Sequence, residues 1–295
     1  MRYRPIGDVP VGAIGLGAMP LSIEGHPEEA RALATVHAAL DAGVTLLDTA
    51  DSYHAPGTEP GHNELLIARA LARYGGDTSK VLVATKGGRG RTPEGGWTVN
   101  GRPEHLRRAC EASLRRLGVE AIGLYQLHKP DPEVPYEESL GAVRELAEEG
   151  KVRMVGVSNT DRDQILLARE VLGERLVSVQ NEFSPAVRGS EPELRLCAEL
   201  GLAFLPWSPL GGISRSSLDG PSSEPGGAAP AHAGFHTVAR RLGVSPQRVC
   251  LAWLLTLSPT LIAIPGASRP ETIRDSAAAA DLVLAPEHLA ELDAA

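Results

Sequence analysis

The chain is short of the residues that mark several common protein classes. Its three cysteines, Cys110, Cys197 and Cys250, are odd in number, far apart and each in a helix-like stretch, which argues against a disulfide framework or a CxxC metal site. Positive charge is in deficit. Against 37 Asp and Glu stand 29 Lys and Arg, a net charge of -8 without a basic block, and this argues against a nucleic-acid or anionic-membrane partner. No window reaches the ~18 uninterrupted apolar residues of a membrane span, and the opening MRYRPIGDVP has no apolar signal-peptide core. The expected setting is a reducing cytoplasm. Aromatics make up 4% of the chain, so few can wall a pocket, and Trp97, Trp207 and Phe183 are the best candidates.

What is present is a regular alternation. With 295 residues and 42% hydrophobic content the chain can bury a large core. Eight short aliphatic runs can be placed: Ala13 to Leu16, Val44 to Leu47, Val81 to Thr85, Ile122 to Leu127, Val152 to Val157, Val177 to Val179, Ala203 to Trp207 and Leu261 to Ile264. Longer amphipathic stretches separate them, so the pattern predicts a single (β/α)8 barrel over residues 1–295, its bottom capped by the N-terminal segment. Helix signals agree: Pro103 opens a helix that ends at Arg115, Arg116 and Gly118, with Leu106, Cys110, Leu114 and Leu117 at helical spacing. Ser190 with Glu193 reads as a capping box, and Ser245 followed by Pro246 opens another helix. Two stretches, 87–102 and the Gly, Ser, Pro and Ala-rich 211–234, are too long for simple connectors and are expected as flexible loops on the face that carries the chemistry. The first would cover a substrate, with Trp97 as an apolar wall, and the second would fold over a cofactor. The plainer reading of each is a passive surface loop.

Polar residues capable of chemistry end several of these runs: Asp48 and Tyr53 after the second, Lys86, His128, Asn159 and Gln180 after later ones. In a parallel barrel all strand ends point one way, so these side chains converge on one face. Taken singly, each has a plain structural explanation: a packed Tyr with a wet hydroxyl, a satisfied His, an Asp–Lys ion pair of little energetic worth. A metal-dependent hydrolase would need His and carboxylate ligands on several strand ends, and only Asp48 and His128 qualify, so no metal is expected.

Read in order, GLGAMPLS, LLDTADSYH with GHNE, VATKGG, LYQLHKPDP, EEGKVRMVGVSN, VQNEFSP, LPWSPLGG and IPGAS resemble the aldo-keto reductase superfamily from about Gly15 to about residue 280. The stretch from Asp51 to Glu64, the loop with Trp97 and VQNEFSP are most similar to bacterial reductases related to pyridoxal reductases. The resemblance implies a catalytic tetrad of Asp48, Tyr53, Lys86 and His128, with Tyr53 as general acid in reduction. The chemistry is coherent: an ammonium at Lys86 lowers the pKa of a nearby phenol, Asp48 keeps Lys86 charged and oriented, and His128 can hydrogen-bond a carbonyl oxygen. Asp51 is expected to cap or bridge nearby backbone, and His54 at most to reach the substrate pocket, with Trp97 and Phe183.

None of these groups supplies two electrons, so a hydride donor is needed and a nicotinamide is the natural one. Gly15-Leu16-Gly17 is too short for a Rossmann fingerprint, so the barrel itself must hold the cofactor. The resemblance implies that Gly17 and Met19 lie beside it, that Ser158, Asn159 and Gln180 bond the carboxamide, that Trp207 stacks on the ring, and that Ser208, Leu210 and Gly211 surround the pyrophosphate. Gly266, Ser268 and Arg269 would meet a 2′-phosphate at a helix start, and Asp275 and Ser276 stand where the family usually has Glu and Asn. NADP(H) is therefore expected ahead of NAD(H), which stays possible, and the substrate is an aldehyde or ketone: pyridoxal, sugar-derived carbonyls and natural-product ketones all fit. The rival reading is a nicotinamide-binding, redox-sensing regulatory subunit with slow or no turnover. No long a/d repeat points to an oligomer interface.

Overall fold

The computed structural model describes residues 1–214 and 232–293. The chain opens with an antiparallel hairpin, β1 (Tyr3–Ile6) and β2 (Val9–Gly12), followed by β3 (Leu16–Gly17), α1 (Glu29–Asp41), β4 (Leu46–Asp48), α2 (His62–Arg73) and β5 (Leu82–Gly87). A second hairpin, β6 (Arg89–Arg91) and β7 (Trp97–Val99), precedes α3 (Pro103–Leu117). Then come β8 (Ile122–Leu127), α4 (Tyr136–Glu148), β9 (Val152–Ser158), α5 (Arg162–Leu172), β10 (Leu176–Gln180), α6 (Glu191–Leu200) and β11 (Ala203–Phe204). Four more helices complete the described chain: α7 (Ala233–Leu242), α8 (Pro246–Leu257), α9 (Pro270–Ala277) and α10 (Pro286–Asp293).

The seven-stranded parallel sheet runs in the order β11-β10-β9-β8-β5-β4-β3. Closure comes from the stretch 261–266, which makes isolated parallel bridges from Leu261 to Phe204, Ala263 to Ile14 and Gly266 to Gly17. The fold is thus an α/β barrel of the (β/α)8 kind. The eighth run is bridged rather than laddered, and Pro265, without an N–H, is one reason the pairing is interrupted. Inside, Leu46, Leu82, Leu124, Met154, Val177, Ala203 and Ile262 form one buried cluster that Ile6 and Val11 of the first hairpin join. The hairpin turn at Gly7 adopts a left-handed φ of 57°. A Cβ there would meet a Val177 methyl at 3.0 Å, so the turn plugs the barrel at the strand starts.

Helix chemistry follows the sequence in most places. Gly118 ends α3 with a left-handed φ of 69°, and Leu106 and Cys110 are buried against the core. Ser245 caps α8 by accepting from the Arg248 N–H. The capping box expected at Ser190 and Glu193 does not form: Ser190 sits at φ -90°, ψ 18°, outside the extended conformation that aims a cap side chain, and makes no cap bond. Glu191 instead pairs with Arg188 and Arg195. A complete box does occur at α5, between Asp161 and Gln164.

Residues 87–102 are not a flexible loop. Arg91 pairs with Trp97 and Arg89 with Val99 across β6 and β7, and the turn is closed by bonds between Thr92 and Gly95 and between Thr92 and Gly96. Of the expected loop 211–234, residues 215–231 lie outside the described ones, and α7 starts at Ala233.

Candidate active site

Parallel strands deliver their last side chains to one rim, and here the register makes that rim polar. Asp48 ends β4 opposite Ala84, Lys86 faces Gln126 across β5 and β8, and Gln180 faces Ser158 at the ends of β10 and β9. His128 follows β8 directly. A cavity of about 590 Å³ opens there, lined at one end by Asp48, Tyr53, Arg89, Trp97 and His128 and at the other by Arg269, Glu271, Thr272, Asp275 and Ser276.

Lys86 is wholly buried, and its Nζ donates to Asp48 Oδ2 at 2.7 Å, to the Thr49 carbonyl at 2.8 Å and to the Tyr53 hydroxyl at 3.2 Å. Asp48 Oδ1 accepts from Gln180 Nε2 at 2.9 Å and Gln126 Nε2 at 3.3 Å. The Tyr53 ring stands edge-on to His128, with centroids 5.8 Å apart. The loop bearing Tyr53 is tied down: Ser22 Oγ donates to the Tyr53 carbonyl, Asn63 donates to Ser22 Oγ and to the Ala18 carbonyl, and Thr49 Oγ1 donates to Asn63 Oδ1.

The electrostatics differ in one respect from the expectation. Burial raises the Tyr53 pKa and outweighs the opposing pull of Lys86, so the phenol keeps its proton more firmly than in water. Burial also works against a charged Lys86, but the oxygens of Asp48 and Tyr53 more than offset it and the net shift is upward. His128 is pushed well below its ordinary value by burial, with Lys86 and Arg89 adding to the effect, so its imidazole is neutral at pH 7.

Further along the cavity, Asn159 and Ser208 are the two non-glycine residues with left-handed φ among the described residues, at 58° and 50°, and both line the wall. Strained backbone concentrated at one site is a mark of function. Asn159 donates to the His128 carbonyl at 2.9 Å and accepts from Trp207 Nε1 at 3.2 Å. Ser158 Oγ donates to the Gln180 carbonyl at 2.7 Å. Gly17 must be glycine, because a Cβ there would lie 2.7 Å from the Ile264 carbonyl oxygen. Gly17, Met19, Trp207, Leu210, Gly211 and Gly266 line the cavity as well.

Two expected pocket residues, Phe183 and His54, and one expected cofactor residue, Ser268, are not on the lining. Phe183 is fully buried in the core, edge-on to Phe204 with centroids 6.0 Å apart. His54 is buried beside the Ala55 carbonyl and Thr58 and is absent from the cavity lining. Ser268 also stays off the lining, between Gly266 and Arg269 that do reach it. Gln180 lines the wall, but its amide nitrogen is engaged by Asp48. The Asp51 carboxylate accepts from the Ser52 backbone N–H, a bridge to nearby backbone, while its Oδ1 is buried without a partner. Asp275 is clasped by Arg248 at 2.6 and 3.1 Å and by the Ser245 hydroxyl.

Sequence reasoning missed Gln126, Arg89, Gln247 and Thr272. Gln126 carried a signal, being the one amide inside the apolar run IGLYQL.

Comparison with known proteins completes the picture. The model of the Aldo/keto reductase family matches residues 13–295. An uncharacterised oxidoreductase of Schizosaccharomyces pombe is 35% identical over 292 residues, covering 98% of this chain and 88% of that protein. Among solved structures, the glycerol dehydrogenase of Gluconobacter oxydans superposes with a TM-score of 0.83 at 30% identity, covering 99% of this chain and 94% of that one. An aldo/keto reductase of Klebsiella pneumoniae in complex with NADP and acetate gives 0.77 at 28% identity, again over 99% and 94%.

Proposed function

The chain belongs to the aldo/keto reductase family of oxidoreductases, and from that premise we propose that it reduces aldehydes or ketones to alcohols with NADP(H), Tyr53 being the proton donor. The observation that carries this reading is Lys86 Nζ held between Asp48 Oδ2 at 2.7 Å and the Tyr53 hydroxyl at 3.2 Å on the cavity wall. When bound, the nicotinamide supplies the hydride. Tyr53 holds the proton that the carbonyl oxygen receives, and Lys86 stabilises the phenolate left behind. Asp48 keeps Lys86 charged and aimed, while neutral His128 orients the carbonyl by hydrogen bonding its oxygen. A phenol whose pKa burial has raised suits this role best if the charge it develops is met at once by Lys86, which the 3.2 Å contact provides.

The residues present fit a dinucleotide. Gly17 and Gly266 bring their segments close together on the cavity wall, and the left-handed backbone at Asn159 and Ser208 is held in place around the same cavity. Ser158, Asn159 and Trp207 would hold the nicotinamide, Ser208, Leu210 and Gly211 the pyrophosphate, and Arg269 at the start of α9 a 2′-phosphate. Asp275 and Ser276 would lie beside the adenosine.

The test follows NADPH absorbance with 4-nitrobenzaldehyde and pyridoxal, then repeats it with NADH. Oxidation of NADPH faster than NADH, with the difference narrowed in Arg269→Ala, is expected. Tight NADPH binding without reduction of any carbonyl would overturn the reductase reading in favour of a redox-sensing subunit.

A further inference from the structure

Resting on the reductase reading, we propose that the carbonyl substrate carries an anionic group, a carboxylate or a phosphate monoester, and that Arg89 is the residue that receives it. Arg89 lies on β6 and lines the cavity beside Tyr53, His128 and Trp97. Its guanidinium carbon is 4.4 Å from the Trp97 ring centroid, and that of Arg91 is 4.3 Å from the same ring. The two arginines are treated differently. Arg91 is neutralised by Glu24, with Nη1 at 3.1 Å and a second short contact through Nη2. Among the described residues no ion pair joins Arg89 to a carboxylate, which is the difference between the two, since Nε is buried without a hydrogen-bond partner in both.

A half-buried, unpaired cation is costly to maintain, and desolvation accordingly works against its charge. The carboxylate at its end of the cavity cannot compensate it, since Asp48 is occupied by Lys86, Gln180 and Gln126. The two ends of the cavity each carry an arginine, Arg269 and Arg89. The cofactor phosphate accounts for the first and leaves the second for the substrate. Stacking on Trp97 fixes the guanidinium plane while leaving its edge donors available for a bidentate anion. Hydrogen bonds of this charge-assisted kind are worth about ten- to a hundredfold in affinity.

The experiment compares kcat/KM for 4-carboxybenzaldehyde with 4-methylbenzaldehyde, and for glyceraldehyde 3-phosphate with glyceraldehyde, in the wild type, Arg89→Leu and Arg89→Lys. The ratio within each pair cancels any general effect of Arg89 on Tyr53 and His128. A preference of about tenfold or more in at least one pair, lost in Arg89→Leu and partly kept in Arg89→Lys, is expected; the pair that shows it tells carboxylate from phosphate. A ratio near one in the wild type for both pairs, or a preference retained in Arg89→Leu, overturns the proposal. If no aldehyde turns over, the reductase reading has failed, and binding then decides this one by itself. Tryptophan emission of the NADP-loaded protein is titrated with 4-(hydroxymethyl)benzoate and with 4-methylbenzyl alcohol. Tighter binding of the acid, abolished in Arg89→Leu, upholds the anion site, and equal binding rejects it.

Discussion

Asp48 and Asp51 share one short segment and are both buried, yet their surroundings are opposite. Asp48 opens onto the cavity with an ammonium at 2.7 Å and two amide donors on its other oxygen. Asp51 lies behind the site, against a sealed pair in which buried Glu64 accepts from Arg116 and from Thr85 Oγ1 at 2.6 Å. Space there is already allotted: a Cβ on Gly61 would come 2.0 Å from Arg116 Nε, and one on Gly87 would come 2.0 Å from the Tyr125 hydroxyl. Arg116 is thus spent on Glu64, and Asp51 Oδ1 has no partner. Burial first, and the nearby Glu64 charge second, push the Asp51 carboxyl up to about 8, against weaker opposition from Arg116, the Ser52 backbone N–H and Lys86. Burial raises the pKa of an acid, and a dedicated cation together with satisfied hydrogen bonds opposes that shift.

Lys86→Met breaks the contrast most severely, because it makes Asp48 a second unpaired buried acid. We expect a loss of about 3–5 kcal/mol in unfolding free energy, measured by denaturant titration, and reductase activity lower by about 10²-fold or more.

Asp51→Asn sharpens the contrast by removing the acid that the fold keeps neutral. Its folded pKa of about 8 lies above the ordinary 3.8. Between those values the folded state holds a proton that the unfolded chain releases, so the Asp51 contribution favours folding below pH 4 and is lost as pH rises to 8. Wild-type stability should carry this fall, at no more than about 1.4 kcal/mol per pH unit, and Asp51→Asn should lack it, as melting temperatures at pH 5, 7 and 9 will show. A smaller effect is expected of Gln126→Leu, which takes one donor at 3.3 Å from Asp48. It should cost about 1 kcal/mol by the same denaturation measurement and move Asp48 a step toward the condition of Asp51.

Much of this was legible in the chain. The strand ends at Asp48, Lys86 and His128 could be read from aliphatic runs that stop at polar residues, and the ends of α3 and α8 from Pro103, Gly118 and Ser245. What could not be read depends on residues distant in sequence. Barrel closure needs Leu261 to find Phe204 and Ala263 to find Ile14, a pairing without a local signal. The hairpin at Arg89 to Val99 resembles a loop because Gly and Pro crowd its turn, while its cross-strand partners carry no alternation of apolar residues. Phe183 follows a strand end as plausible wall residues do, but the turn after Gln180 sends it inward onto Phe204. Proximity of Lys86 to Tyr53 suggested a lowered phenol pKa, and the depth of burial, which reverses the sign, appears only once the chain is folded.

The most direct test of the central claim is single-turnover oxidation of bound NADPH by 4-nitrobenzaldehyde in the wild type and in Tyr53→Phe, with NADPH affinity measured alongside by fluorescence. If Tyr53 donates the proton, the rate of hydride transfer falls by about 10²–10⁴-fold while NADPH affinity is unchanged. Tyr53→Phe reducing the aldehyde at the wild-type rate would contradict the account.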